Sequence, residues 1–253
     1  MESRASRLDA SRKAWIKRQQ SYSAMKKIAV FHHSLFFIGD PPRRLPYAEG
    51  IVSVQMNALK ESGLLAAASQ IICGVNGGEE SHAIAKAMLP QKAHLVFHGL
   101  ECRNECRTIR IIEEWLPGHE DWFVLYHHSK GASRFDREAR SANWLECMQR
   151  RCVWNWQRCI HDLESGYDAV GCHWFEPPYT PPGQRIFAGT FFWAKASYLM
   201  CIPSLMSRDR IKVSGIDSLE SRYEAECWIG NGRPLPKVKD YHSGWDVDAK
   251  PHP

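Results

Sequence analysis

Trp122-Phe-Val-Leu-Tyr-His-His-Ser-Lys-Gly-Ala-Ser133 is the stretch on which the reading of this chain turns. Trp122 to Tyr126 is a short apolar run of the kind that forms a buried strand, and it gives way at once to two histidines, a serine, a lysine and a glycine. Outward from it the pattern repeats. Upstream, Lys27-Ile-Ala-Val-Phe-His32, Gln70-Ile-Ile-Cys-Gly-Val75 and His94-Leu-Val-Phe97 are runs of strand length, and downstream Tyr167-Asp-Ala-Val-Gly-Cys172 is a fifth. Helical spacing fills the gaps. Ile51, Val54 and Leu59 recur through Tyr47–Ser62, which Gly63 ends; Glu101 to Trp115 closes at Pro117-Gly118; and a long pattern runs from Asp136 to Leu163, stopped by Gly166. Strands alternating with helices predict an α/β fold with a mostly parallel sheet flanked by helices on both faces.

Further along, Ile186 to Trp193 reads as a strand broken by Gly189, followed by a short helix around Ala196–Met200 and a last clear helix over Ser218–Trp228. Glu176-Pro-Pro-Tyr-Thr-Pro-Pro-Gly183 is a stiff proline-rich loop, read as a lid or rim. No internal repeat and no linker composition follows residue 28, so one domain is expected over 27–253 despite the length of 253 residues.

Residues 1–26 form a basic leader. Arg4, Arg7, Arg12, Lys13, Lys17, Arg18 and Lys26 are opposed there only by Glu2 and Asp9. It reads as a flexible tail, an amphipathic helix, or a stretch upstream of a natural start at Met25. The net charge of +5 is mild and suits an anionic substrate such as a nucleotide diphosphate without demanding nucleic acid. Nine cysteines, an odd number with no apolar secretory segment after the basic start, predict free thiols in a cytoplasmic, reducing setting. Cys102 with Cys106, and Cys152 with Cys159, each share a helix face, but neither pair has the matching second pair that structural zinc requires. No run approaches the roughly 20 apolar residues that span a bilayer.

In parallel sheets ligands collect beyond the carboxyl ends of the strands. That rule directs attention to His32-His33, Asn76-Gly77-Gly78, His98-Gly99 and His127-His128-Ser129-Lys130-Gly131. Lys130 beside the permissive Gly131 is what a departing diphosphate needs. No phosphate-binding G-x-x-x-x-G-K-[ST] loop, no strand-borne G-x-G-x-x-G and no G-x-S-x-G elbow occurs. Gly189 stands before a cluster of aromatics that includes Trp193, a candidate surface for a sugar ring among ten tryptophans in all. In Arg222-Tyr-Glu-Ala-Glu-Cys-Trp-Ile229, Glu224 and Glu226 are two apart and do not share a helix face, so at most one serves a given site. A carboxylate beside Trp and Cys is partly desolvated, toward the basicity a general base needs, and Glu226 is the preferred candidate.

Together, Tyr-His-His-Ser-Lys-Gly, Tyr-Asp-Ala-Val-Gly, Phe-Ala-Gly-Thr-Phe-Phe-Trp-Ala-Lys and Arg-Tyr-Glu-Ala-Glu-Cys-Trp-Ile-Gly resemble a group of bacterial and viral glycosyltransferases, from about Lys27 to His242. The resemblance implies a GT-A-type fold and transfer of a sugar from a nucleotide-sugar donor to a hydroxyl acceptor. It implies a donor lying along Phe31–Ser34, with Lys130 and the neighbouring histidines neutralising the diphosphate. Trp193 then shapes the sugar pocket and Glu226 deprotonates the acceptor. One departure stands out: such enzymes commonly hold a divalent metal, Mn or Mg, on an Asp-x-Asp at the end of a central strand, where this chain has His127-His-Ser-Lys130. Metal dependence is therefore open. The Asp246-Val-Asp248 of the tail reads as solvated, and His242 stands where such enzymes can supply a late phosphate or metal ligand. Two other readings stay open: a non-catalytic nucleotide- or glycan-binding module, and an enzyme acting on modified nucleic-acid bases, whose binding would show a steep salt slope lost on deleting residues 1–24.

Overall fold

The computed structural model describes residues 26–36, 44–99, 105–132, 138–178, 180, 182–206 and 222–242. The leader before Lys26, Asp246-Val-Asp248 and the first residues of the helices expected from Glu101, Asp136 and Ser218 lie outside them.

Seven strands form one sheet in the order β3-β2-β1-β4-β8-β5-β9. They are β1 (Ile28–Leu35), β2 (Gln70–Asn76), β3 (His94–Gly99), β4 (Phe123–His128), β5 (Ala169–Gly171), β8 (Phe192–Lys195) and β9 (Val238–Asp240), while β6 (Trp174–Phe175) and β7 (Ile186–Phe187) pair separately. β1 runs parallel to both β2 and β4, β2 parallel to β3, and β5 parallel to β9. The expected α/β architecture, a mostly parallel sheet flanked by helices, is the one found. Its exception is β8, antiparallel to both β4 and β5. Gly189, at φ +89, breaks the Ile186–Trp193 run as expected, and the chain leaves the two-stranded pair at Phe187 to enter the main sheet at Phe192.

Because successive strand residues point to opposite faces, the sheet sorts its apolar residues into two cores. Ile28, Val30, Leu125, Val170 and Trp193 face α1 (Arg44–Glu61), α3 (Glu79–Met88), α5 (Glu138–Met148) and α6 (Trp156–Glu164). Ala29, Phe31, Val124, Tyr126 and Phe192 face α4 (Cys106–Trp115), α7 (Ala196–Leu199) and α8 (Arg222–Trp228). A single turn, α2 (Leu64–Ala67), follows the left-handed Gly63.

Of the features that escaped the sequence reading, three shape the fold most. α3 is one: it carries few large apolar residues, but Glu79 and Glu80 in its first turn and Lys86 in its last complement the helix dipole. β9 is the second, only three residues long and entirely half-buried. The third is the break in the long helix expected from Asp136 to Leu163, which passes through a π-helical turn at Gln149–Trp154 between α5 and α6. Among the described residues no helix is long and apolar enough to cross a membrane.

Candidate functional site

The register of β1 against β4 sets His32 opposite His127 and His33 opposite His128. Neighbours along a strand point to opposite faces, so the four histidines divide into two pairs, one on each side of the sheet. Ser129 ties the ends together: its N–H donates to the His33 carbonyl (2.8 Å), and its hydroxyl accepts from Leu35 N–H (2.9 Å). Gln55 of α1 donates to the His128 carbonyl (2.6 Å), and Gly131, at φ +92, turns the chain away.

On the face covered by α1 and α5, His32 Nδ1 and His127 Nδ1 lie 3.3 Å apart, and the His127 ring meets Phe191 edge-on. Burial is the largest influence on both imidazoles, with the neighbouring histidines adding to it. It holds His32 well below the usual histidine range and His127 at about 3. On the face covered by α4, burial likewise takes His33 to about 3 against the opposing pull of Glu105, and His98 to about 4. Burial thus disfavours the charged form of His32, His33 and His127, which runs against the expectation that these histidines neutralise a diphosphate.

The second face holds a connected polar network. His33 Nδ1 lies 2.8 Å from Thr108 Oγ1, His98 Nε2 lies 3.1 Å from the same hydroxyl, and Asn76 Nδ2 lies 3.5 Å from His33 Nε2. With both imidazoles neutral, one assignment satisfies all three contacts: Asn76 donates to His33, His33 to Thr108, and Thr108 to His98. Gly74 makes the room, since a Cβ there would collide with Thr108 Oγ1 and come within 2.6 Å of His98 Nε2.

Next to this chain lies Glu105, a residue to which the sequence reading gave no role. It immediately precedes α4, accepts a hydrogen bond from Tyr126 Oη (2.8 Å) and is paired with His128 Nδ1. Burial alone would raise its carboxyl, but the charge and hydrogen bond of His128 outweigh it, with His33 and Tyr126 adding, and take Glu105 to about 2. A buried carboxylate holding one imidazole nitrogen fixes the orientation of the ring. The other nitrogen, His128 Nε2, is buried and has no hydrogen-bond partner among the described residues.

Lys130 is itself buried, with Nζ 4.0 Å from the centre of the Trp144 ring. It lines a cavity of about 740 Å³ between α1 and α5, whose walls include Tyr47, Ile51, Val54, Leu145 and Glu146. Neither Glu224 nor Glu226 lines that cavity. Both are buried, so the expectation of one site-facing carboxylate and one left for an ion pair finds two enclosed ones. Together with burial they raise the Cys227 thiol to about 12. Their helix contacts α4 and β7, and its Ala225 and Trp228 belong to the core on the other side of the sheet from Lys130.

Two expectations on the aromatic segment are corrected. Trp193 shapes no sugar pocket: it is fully buried in the core, with its indole N–H on the Cys152 carbonyl (2.7 Å). Gly189 admits a neighbouring helix rather than a ligand, since a Cβ there would lie 2.6 Å from Met148 Sδ and 3.3 Å from the Trp144 ring. His242, expected to stand alone, has company: its ring centre is 4.7 Å from that of His173, and Cys147 lies close to both.

No family model matches the chain, and no curated protein matches its sequence. Solved structures do resemble it. One, described as a nucleotide-diphospho-sugar transferase from Desulfovibrio desulfuricans G20, shares 13% identity over 87% of this chain and 81% of its own, with a TM-score of 0.46. The 4-diphosphocytidyl-2C-methyl-D-erythritol synthase of Anaerococcus prevotii DSM 20548 shares 13% over 89% and 90% (TM-score 0.43), and the M. tuberculosis glucosyl-3-phosphoglycerate synthase 12% over 74% and 64% (TM-score 0.39). At such values the likeness concerns the course of the chain and says nothing of its chemistry.

Proposed function

We propose that this chain is a nucleotide-sugar-dependent glycosyltransferase that takes its donor where β1 and β4 end. One observation carries the reading: a buried lysine, Lys130, stands at the end of a central parallel strand and on the wall of a cavity of about 740 Å³. That volume is within the ordinary range of small-molecule sites, and the position is the one where such sheets bind ligands. In this reading Lys130 balances the leaving diphosphate and the neutral histidines supply hydrogen bonds. His128, oriented by Glu105 and two residues before Lys130, is the candidate for taking the acceptor proton; Glu226, with Glu224 beside it, is the competing candidate, and none of the three lines the cavity.

Thermal-shift measurements against UDP-, GDP-, CMP- and dTDP-sugars test the donor, since a ligand that binds only the folded chain stabilises it by mass action. One donor class should raise the melting temperature, and turnover should then be lost in His128→Asn and kept in Glu226→Gln. The opposite pattern makes Glu226 the base, and no shift with any donor sinks the proposal. A non-catalytic binding module is favoured by one feature, the absence of Glu224 and Glu226 from the cavity wall. A donor that binds and is never turned over, with or without Mn²⁺, selects that reading.

A further inference from the structure

A second cluster lies beyond β4, apart from the residues that carry the proposed function, and it includes His242, which the sequence offered as a lone phosphate or metal ligand. Among the described residues, Cys147 near the end of α5, His173 just after β5 and His242 just after β9 each offer one ligand atom, and the three atoms lie within 4.8 Å of one another. Three separate elements converge to make it.

The backbone that carries each imidazole is pinned. His173 is one of two non-glycine described residues with a positive φ, +59, a region that L side chains rarely adopt and that recurs where a site constrains the backbone. Its N–H donates to the His242 carbonyl (3.0 Å), and its carbonyl accepts from Ala188 N–H (3.0 Å). His242 N–H donates to Asp240 Oδ1 (3.0 Å), whose other oxygen takes Trp174 N–H (3.1 Å). The Cys147 thiol is hydrogen-bonded to His173 and to Cys172, and Cys172 in turn to the buried Cys152.

Ligand chemistry decides the ion. One thiolate and two imidazoles are borderline-to-soft donors that suit zinc, whereas magnesium and calcium take oxygen. We propose that Cys147, His173 and His242 bind one zinc-class divalent cation, leaving its fourth coordination position to a water or a ligand oxygen. Three protein ligands with an open position are the arrangement of reactive rather than purely structural zinc. The site adjoins the lysine turn, because the Trp144 ring that carries Lys130 Nζ also meets His173 edge-on at 6.4 Å. The proposal does not depend on the transferase reading.

The test uses the full chain, kept reduced, stripped with a chelator and titrated with Co²⁺ and Zn²⁺. One equivalent should bind, with a near-ultraviolet thiolate-to-cobalt charge-transfer band. X-ray absorption at the zinc edge should fit one sulfur and two imidazole nitrogens. Cys147→Ser should abolish the band, His242→Ala should weaken binding by more than the roughly 10–100-fold that loss of an outer-shell partner costs, and Cys201→Ser, at an exposed thiol elsewhere, should change neither. The proposal is overturned if the wild-type chain takes up no stoichiometric metal, if the zinc-edge fit contains no sulfur, or if the band survives in Cys147→Ser. The first two outcomes use the unaltered chain, so a variant that fails to fold cannot shield the proposal.

Discussion

The imidazoles of His33 and His127 pass from about 6.5 in the unfolded chain to about 3 in the folded one, and burial is the chief cause for each. Between those two values the unfolded chain binds a proton that the folded chain refuses, so stability rises with pH across the interval. The contribution is complete above 6.5 and is lost as pH falls toward 3, at about 1.4 kcal/mol per pH unit for each histidine. Glu105 acts in the same direction but lower, between 4.5 and about 2. Urea unfolding should therefore weaken between pH 7 and pH 5, before any carboxylate titrates; a flat profile there would mean that the histidines are hydrated. Gly189 supplies a second prediction. Its φ of +89 and the 2.6 Å approach of Met148 Sδ to a built Cβ together predict that Gly189→Ala costs about 1–3 kcal/mol. The change would appear as a lower urea midpoint at constant m-value.

At the scale of elements, the contact of β2 with α4 depends on a missing side chain. Gly74 opposite His33 lets Thr108 reach two histidines at once, so Gly74→Ala should push α4 outward, break the His33–Thr108–His98 chain and cost about 1–3 kcal/mol. Gly50 in α1 has open space around its Cβ position, and Gly50→Ala should instead stabilise by about 0.5–1 kcal/mol through helix propensity. A loss at Gly74→Ala with a smaller gain at Gly50→Ala would fit this account, whereas a neutral Gly74→Ala would show that the β2–α4 approach is looser than drawn. Element identity was largely readable in advance: the runs at Lys27–His32, Gln70–Val75, His94–Phe97 and Trp122–Tyr126 are all strands, the first, second and fourth because a strand buried on both faces must be apolar throughout, while the third is a half-buried edge strand. β9 was not readable, since its Val-Lys-Asp is half-buried and carries no alternation long enough to register.

For the whole molecule, the decisive matter is what meets at the edge where the parallel strands end. A donor present at a hundred times its Kd should stabilise the fold by about 2.7 kcal/mol, or roughly 5–10 °C in melting temperature for a chain of this size. Lys130→Met should remove most of that shift while leaving the ligand-free melting temperature within a few degrees. A full shift in Lys130→Met would move the anion site away from the lysine turn. Lys130 and Glu226 are carried by elements packed against opposite faces of the sheet, and the His128 ring, paired with Glu105, also lies on the α4 face, so a base there must act at the strand ends and not from the cavity wall.

Local pattern alone determined the α/β class and the place of most strands and helices, because hydrophobic period and glycine stops are properties of neighbouring residues, and it directed attention to Tyr126–Gly131 as candidate ground for a site. The sorting of four consecutive-looking histidines into two pairs on opposite faces needed the register of β1 against β4. Glu105 was invisible for the same reason: its worth lies in Tyr126 and His128, residues distant along the chain that only the packed helix brings to it. The Cys147, His173 and His242 cluster draws on three elements with no recognisable spacing, and Trp193 and Gly189 looked like site residues until packing enclosed them. Burial and convergence are sums over the whole fold, and no window of sequence contains them.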